Sequence, residues 1–165
     1  METLERIVAT QGLRVYRLYL AKGHSFFGRH GQPAADHPIT EVAEIECVAG
    51  RGLRGDRFFD HKENYKGQVT FFAWETYQAI CRALAVEDKP PSAFRRNVIT
   101  GGVDLNGLIG REFWVQGVLF RGTEECRPCY WMEQAFAPGA CEFLKGRGGL
   151  RAVVLSDGIL RANTP

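Results

Sequence analysis

With 165 residues, 45% of them hydrophobic, the chain can build one globular domain with a real core and has no room for a second. Its 21 Lys and Arg against 19 Asp and Glu leave a formal net charge of +2, with no basic run of the kind that forms a nucleic-acid arm. No apolar stretch reaches the roughly 20 residues needed to cross a bilayer. The opening Met-Glu-Thr-Leu-Glu-Arg lacks a basic segment followed by an apolar one, so the expectation is a cytoplasmic protein with no nucleic acid and no membrane among its partners. Five cysteines (Cys47, Cys81, Cys126, Cys129 and Cys141) make an odd set, which in a reducing compartment reads as free thiols rather than a disulfide framework.

Taken in order, residues 13–20 alternate apolar and polar side chains and predict a half-buried strand. Residues 22–38 form a polar loop rich in Gly and holding His24, His30 and His37, whose spacings do not match a compact zinc motif. A second strand is expected over 39–49, with Cys47 an ordinary buried side chain on it. It runs into Gly50-Arg-Gly-Leu-Arg-Gly-Asp-Arg-Phe-Phe59, where glycines permit close backbone approach and Arg54 and Asp56 are candidate ligand contacts. No Gly-Lys-Ser/Thr closes this loop and no helix opens from it, so it is neither a Walker loop nor a dinucleotide fingerprint.

Residues 68–73 predict a short buried strand and 74–85 an amphipathic helix with Tyr77, Ile80, Cys81 and Leu84 on one face, stopped by Pro90-Pro91. A strand over 93–100 is entered through Arg95, Arg96 and Asn97. In an extended chain the two arginines point to opposite faces, so one of them turns inward and needs a partner, of which a bound anion is one candidate. A single helical turn follows over 105–109, then a hairpin over 112–121 turning at Gly117, which delivers the chain to the cysteine pair. A short helix over 130–136, a second Gly/Arg turn containing Arg147, and a hairpin over 153–160 complete the chain. Many short strands with Gly turns and one clear helix predict a mainly β architecture, most economically a closed or nearly closed β-barrel with a few short helices.

The chemistry centres on Cys126-Arg-Pro-Cys129, two thiols three residues apart in a turn. A structural zinc site would need a second ligand pair, and a thioredoxin-type redox pair would need a βαβ setting. The further reading is a single reactive or metal-ligating thiolate, Cys129, with Cys126 as auxiliary and Pro128 fixing the turn. A soft thiolate near several arginines (Arg54, Arg95, Arg96 and Arg147, with Asp56 and Asn97 in the same loops) suits a phosphate-bearing organic cofactor that carries a sulfur-seeking metal. No Ser/His/Asp set stands at recognisable spacing.

Six motifs in sequence order carry a family resemblance: Gly52-Leu-Arg-Gly-Asp-Arg-Phe58, Gln68-Val-Thr70, Arg95-Arg-Asn-Val-Ile99, Gly102-Val-Asp-Leu105, Cys126-Arg-Pro-Cys129 and Gly146-Arg-Gly-Gly-Leu150. Together they resemble the MOSC family, domains similar to the C-terminal part of molybdenum cofactor sulfurases, over about residues 39–160. The resemblance implies a β-barrel and a cysteine that carries sulfur or ligates molybdenum, with Cys129 in the reactive position. It places Arg96 and Asn97 in the segment that anchors the molybdenum cofactor (molybdopterin with Mo), and gives Gly55, Asp56, Gly148 and Gly149 the shaping of barrel and cleft. Two functions follow as expectations. One is an oxo-transfer reductase of N-hydroxylated small molecules, fed by an electron-transfer protein in trans. The other is a sulfur carrier holding a Cys129 persulfide received from a pyridoxal-phosphate cysteine desulfurase.

Overall fold

Alternation decides the strands of the computed structural model, which describes residues 7–8, 12–22, 38–63 and 65–163. In chain order these are β1 (Ile7–Val8), β2 (Arg14–Ala21), β3 (Ile39–Val42), β4 (Glu44–Val48), β5 (Gly52–Leu53), β6 (Val69–Ala73), β7 (Val98–Gly101), β8 (Glu112–Val115), β9 (Val118–Glu125), β10 (Leu150–Val154) and β11 (Gly158–Arg161). Helix α1 (Trp74–Ala83) joins β6 to β7, and α2 (Trp131–Ala135) and α3 (Ala140–Phe143) follow β9. Single 3-10 turns stand at Pro91–Phe94 and Leu105–Leu108.

The expected mainly β fold with a few short helices is observed. Eight strands form one mixed sheet in the order β1-β8-β9-β10-β6-β7-β2-β3, and a smaller sheet runs β11-β4-β5. Among the described residues the large sheet ends at β1 and β3, so hydrogen bonding builds two sheets rather than one closed ladder. Most neighbours are antiparallel, but β1 pairs with β8 in parallel and so does β6 with β7, with α1 as the crossover between the latter two.

Two apolar layers lie on opposite faces of the large sheet, because successive side chains on a strand point opposite ways. On β6, Val69 and Phe71 join Leu18, Val98, Phe113, Phe120 and Leu150 in the main core. Phe72 belongs instead to a second cluster with Tyr19, Ile80, Phe94, Ile99, Met132 and Phe136, under the helices. Phe94 stacks on both Phe72 and Phe136, with ring centroids 4.9 and 4.7 Å apart. Thr70 on β6 and Arg151 on β10 face each other in register and share parity with Phe72, so both project toward the helical side.

Three sequence expectations need correction. The strand expected over 39–49 breaks at Ala43, and its halves β3 and β4 join different sheets. The strand expected over 93–100 starts only at Val98: Pro91 seeds a 3-10 turn, and Arg95 ends it in the left-handed region at φ 57°. Arg95 and Arg96 are therefore not alternating strand residues. The hairpin expected over 153–160 does not form, because β11 pairs with β4 and not with β10. The turn between them is held by the small sheet instead: Gly50 N donates to Val154 O at 2.8 Å and Ala49 N to Asp157 Oδ1 at 2.8 Å. The loop carrying His24, His30 and His37 lies outside the described residues.

Candidate functional site

The lower end of the parallel β6–β7 pair, on the helical face, holds a polar knot. Asn97 N donates to Thr70 Oγ1 at 3.0 Å, while Thr70 N donates to Asn97 Oδ1 at 3.0 Å, so each closes the other's backbone. Asn97 Nδ2 donates to Tyr19 O and to Asp56 Oδ1, both at 3.2 Å. Asp56 also accepts Ala21 N at 3.1 Å and Phe58 N at 3.3 Å. Asp56 and Asn97 are thus buried with their hydrogen bonds satisfied inside the protein, which fits a structural role at the root of the site.

From that root four guanidinium groups gather. Arg57, its side chain only 8% exposed, pairs with Asp56 at 3.3 Å and donates from Nη2 to Arg95 O at 3.2 Å, but its buried Nε has no partner. Burial lowers the Arg57 pKa, Asp56 opposes that, and the neighbouring Arg96 adds to it. Arg95 is pushed down to about 10, first by burial and then by Arg57. Arg96 is buried and donates from Nε to Gly148 O at 3.1 Å and from Nη1 to Phe94 O at 3.0 Å. Arg151 completes the set from β10, 3.0 Å from Glu124, which also binds Lys66 at 3.1 Å. Burial works against the Arg151 charge, but the Cys126 thiol, Tyr65 and Glu124 outweigh it and raise the pKa.

The cysteine turn leaves β9 against these groups. Cys126 is buried, its N–H donating to Gly149 O at 2.8 Å, and its sulfur interacts with both Arg57 and Arg151. Gly148 is required here: a Cβ at that position would lie 2.1 Å from Cys126 O and 3.1 Å from Pro128 Cδ. Gly149, at φ +113°, would clash with Phe71 O at 2.3 Å if it carried a side chain. Cys129 lies beyond the buried part of the turn and is exposed, and its carbonyl accepts Met132 N as α2 begins.

Two hollows flank the turn over 145–149. One, of about 280 Å³, is lined by Glu125, Arg127, Pro128, Cys141, Lys145 and Gly146. The other, of about 410 Å³, includes Ala73, Glu75, Asp104, Asn106, Arg147 and Gly149 in its lining. Among the described residues no three His, Cys, Asp or Glu side chains cluster as a metal set.

The structure therefore brings Cys126, Asp56, Arg95, Arg96 and Asn97 to one place and puts Cys129 on its exposed margin. Arg54 and Arg147 are engaged elsewhere. Arg54 binds Glu46 at 2.7 Å on the surface and lies over Phe59, and Arg147 stacks on Phe143 with 4.3 Å to the ring centroid. Sequence reasoning missed Arg57 and Arg151. The available signals were an arginine directly after Asp56 and one set between the buried Leu150 and Ala152 of a strand.

The fold and site define a mainly β domain whose sheet carries a cysteine turn beside a group of buried and partly buried arginines. The family model described as the MOSC domain matches residues 49–165, and the chain belongs to this family, which is linked to molybdenum cofactor binding. Solved structures share the fold. The YuaD protein from Bacillus subtilis aligns with a TM-score of 0.69 at 19% identity, covering 91% of each chain. YiiM from Escherichia coli aligns at 0.60 and 18% identity, over 93% of this chain and 66% of that one. YiiM from Geobacillus stearothermophilus aligns at 0.66 and 14% identity, over 93% and 73%. Comparison with curated proteins gives no match.

Proposed function

We propose that the chain binds molybdenum cofactor at the cysteine–arginine site and acts as an oxo-transfer reductase of N-hydroxylated small molecules, with electrons supplied by a separate electron-transfer protein. The observation that carries this reading is the meeting of the Cys126-Arg-Pro-Cys129 turn with a group of buried and partly buried guanidiniums, in which the buried Arg57 Nε has no partner. The donor set fits the group: thiols suit a soft metal, and arginines suit the phosphate of the organic part. Cys129 would hold the metal from the exposed end of the turn, with Arg57, Arg95, Arg96 and Arg151 holding the anion. When bound, the molybdenum centre supplies oxygen-atom transfer. The protein's own share is positional. Pro128 and the Gly148 contact fix the turn, Asp56 and Asn97 fix the arginines, and the aromatic layer around Phe94 keeps water from beneath them.

The exposure of Cys129 favours a second reading, a sulfur carrier, because a thiol that receives sulfur from a pyridoxal-phosphate cysteine desulfurase must be reachable by a partner protein.

One sample separates the two: protein from a host that makes molybdenum cofactor, taken through metal analysis and intact-mass measurement. Near-stoichiometric molybdenum, lost in Cys129→Ser, is the expected result for the reductase. No metal, with a mass gain of one sulfur that reduction removes, identifies the carrier. A Cys129→Ser protein that keeps both cofactor and sulfur loading would sink both readings.

A further inference from the structure

Because β6 and β7 are parallel, both end on one side of the large sheet, and α1 starts there. The carboxyl ends of parallel strands are where sheets of this kind receive ligands. The hollow of about 410 Å³ lies at this end, with Ala73 of β6 and Gly102, just past β7, in its lining. Thr70 and Asn97, the root of the cysteine–arginine site, stand at the opposite end of the same strand pair.

The lining is charged in both senses. Glu75 Oε1 accepts Gly102 N at 2.8 Å and Asp104 Oδ1 accepts Asn106 N at 3.2 Å, which fixes both carboxylates and leaves the second oxygen of each. Among the described residues neither takes part in an ion pair. Asn106 Nδ2 donates to Gly146 O at 2.8 Å, so its Oδ1 is a further acceptor. Against these stands the start of α1, which no side chain caps, so its first N–H groups and the positive end of its dipole are open. Arg147 joins it in the lining. Ala73, Val103 and Leu105 add an apolar part continuous with the main core. A separate observation marks the same place. Thr100 is fully buried and its Oγ1 has no partner, a state that asks for an acceptor or donor. It pairs in register with Ala73, so the two side chains share a face and the spare hydroxyl is aimed at the Ala73 side of the hollow.

We propose that this hollow binds a free aliphatic α-amino acid. The ammonium group sits between Glu75 and Asp104, and the carboxylate takes the open N–H groups of α1, Arg147 and the Thr100 hydroxyl. The side chain rests on Ala73, Val103 and Leu105. A simple amine would leave the positive half unmatched, and a simple carboxylate the acidic half. The site needs neither cofactor nor sulfur, so it stands apart from both readings of the cysteine turn.

The test titrates the full chain with L-leucine, L-valine and L-alanine, following isothermal heat and thermal stability. Binding is expected, with L-leucine as the reference ligand. N-acetyl-L-leucine, which lacks the ammonium, and 3-methylbutylamine, which lacks the carboxylate, should bind roughly tenfold or more weakly. Glu75→Gln and Asp104→Asn keep an acceptor for the backbone N–H but lose the charge, and each should weaken L-leucine by a similar factor. Thr100→Val keeps the shape and should leave the empty protein at least as stable, since the lost hydroxyl had no partner, while weakening the ligand. Glu44→Gln, on the small sheet, should change nothing. Circular dichroism verifies that each variant folds. No response to the three amino acids, an undiminished response to either analogue, or wild-type affinity in Glu75→Gln, Asp104→Asn or Thr100→Val overturns the site.

Discussion

Three cysteines of this chain sit in three different environments, and their chemistry should divide accordingly. Cys47 is fully buried, and burial, then Glu46, pushes its pKa up to about 12, so it stays a neutral thiol across the physiological range. Cys126 is buried against two arginines, and Cys129 is exposed. Brief iodoacetamide treatment of the native protein is expected to label Cys129 first and to leave Cys47 untouched until denaturant is added, as read by peptide mass mapping. Asp56 tests the root of the site. Replacing it with Ala strips Asn97, Ala21 N and Phe58 N of an acceptor and leaves Arg57 as a buried, unpaired charge, so unfolding free energy should fall by about 3–5 kcal/mol in urea titrations. Glu124 gives the acid side. The Lys66 hydrogen bond, and then Lys66 and Arg151 charges, hold its pKa below the ordinary 4.5, against some burial. The stabilisation is present above that ordinary value and is lost as pH falls through the lowered one. Since the pair is largely solvated, the loss should be under about 1 kcal/mol, weaken in high salt, and vanish in Glu124→Gln.

At the scale of elements, the turn over 145–149 is the part with least tolerance. Gly149→Ala must relieve both a left-handed φ of +113° and a 2.3 Å approach to Phe71 O, which is rigid strand backbone. A loss of about 2 kcal/mol or more is expected in chemical denaturation, with the cysteine turn disturbed as well, because the Cys126 N–H is held by Gly149 O. The elements most readable from sequence were those fixed by local pattern. The alternation of Arg14–Ala21, the helix after Ala73 and the β8–β9 hairpin at Gly117 all stand where periodicity puts them. What could not be read was pairing. Nothing in residues 39–49 says that Ala43 divides two sheets, and nothing around Ser156 says that β11 will cross to β4, because β3 pairs back to nearby β2 while β4 takes a partner more than a hundred residues away. The site shows the same limit. Cys126, Cys129, Asp56, Arg96 and Asn97 sit in motifs, whereas the role of Arg151 depends on its register with Glu124 across the sheet. Arg54 and Arg147 sit in motifs like the other arginines, but Glu46 and the Phe143 ring hold them away from the site.

For the whole molecule, the second aromatic layer ties the site to global stability. Phe94 bridges Phe72 of the sheet and Phe136 beyond α2, and directly precedes Arg95 and Arg96. Phe94→Ala should cost about 3–5 kcal/mol in unfolding free energy and lower the molybdenum content of protein from a host that makes the cofactor, whereas a comparable truncation in the opposite core, Phe120→Ala, should cost stability with that content preserved.

The β4–β11 pairing has a consequence for the timing of synthesis. Glu44 stands opposite Arg161 and Cys47 opposite Gly158, so the inner strand of the small sheet waits for a partner made more than a hundred residues later. While the ribosome is still adding the intervening residues, β4 has an open hydrogen-bonding edge, and such edges recruit other chains. Chains halted before Gly158 should therefore collect as aggregates in a cell-free translation, and chains extended past Arg161 should not.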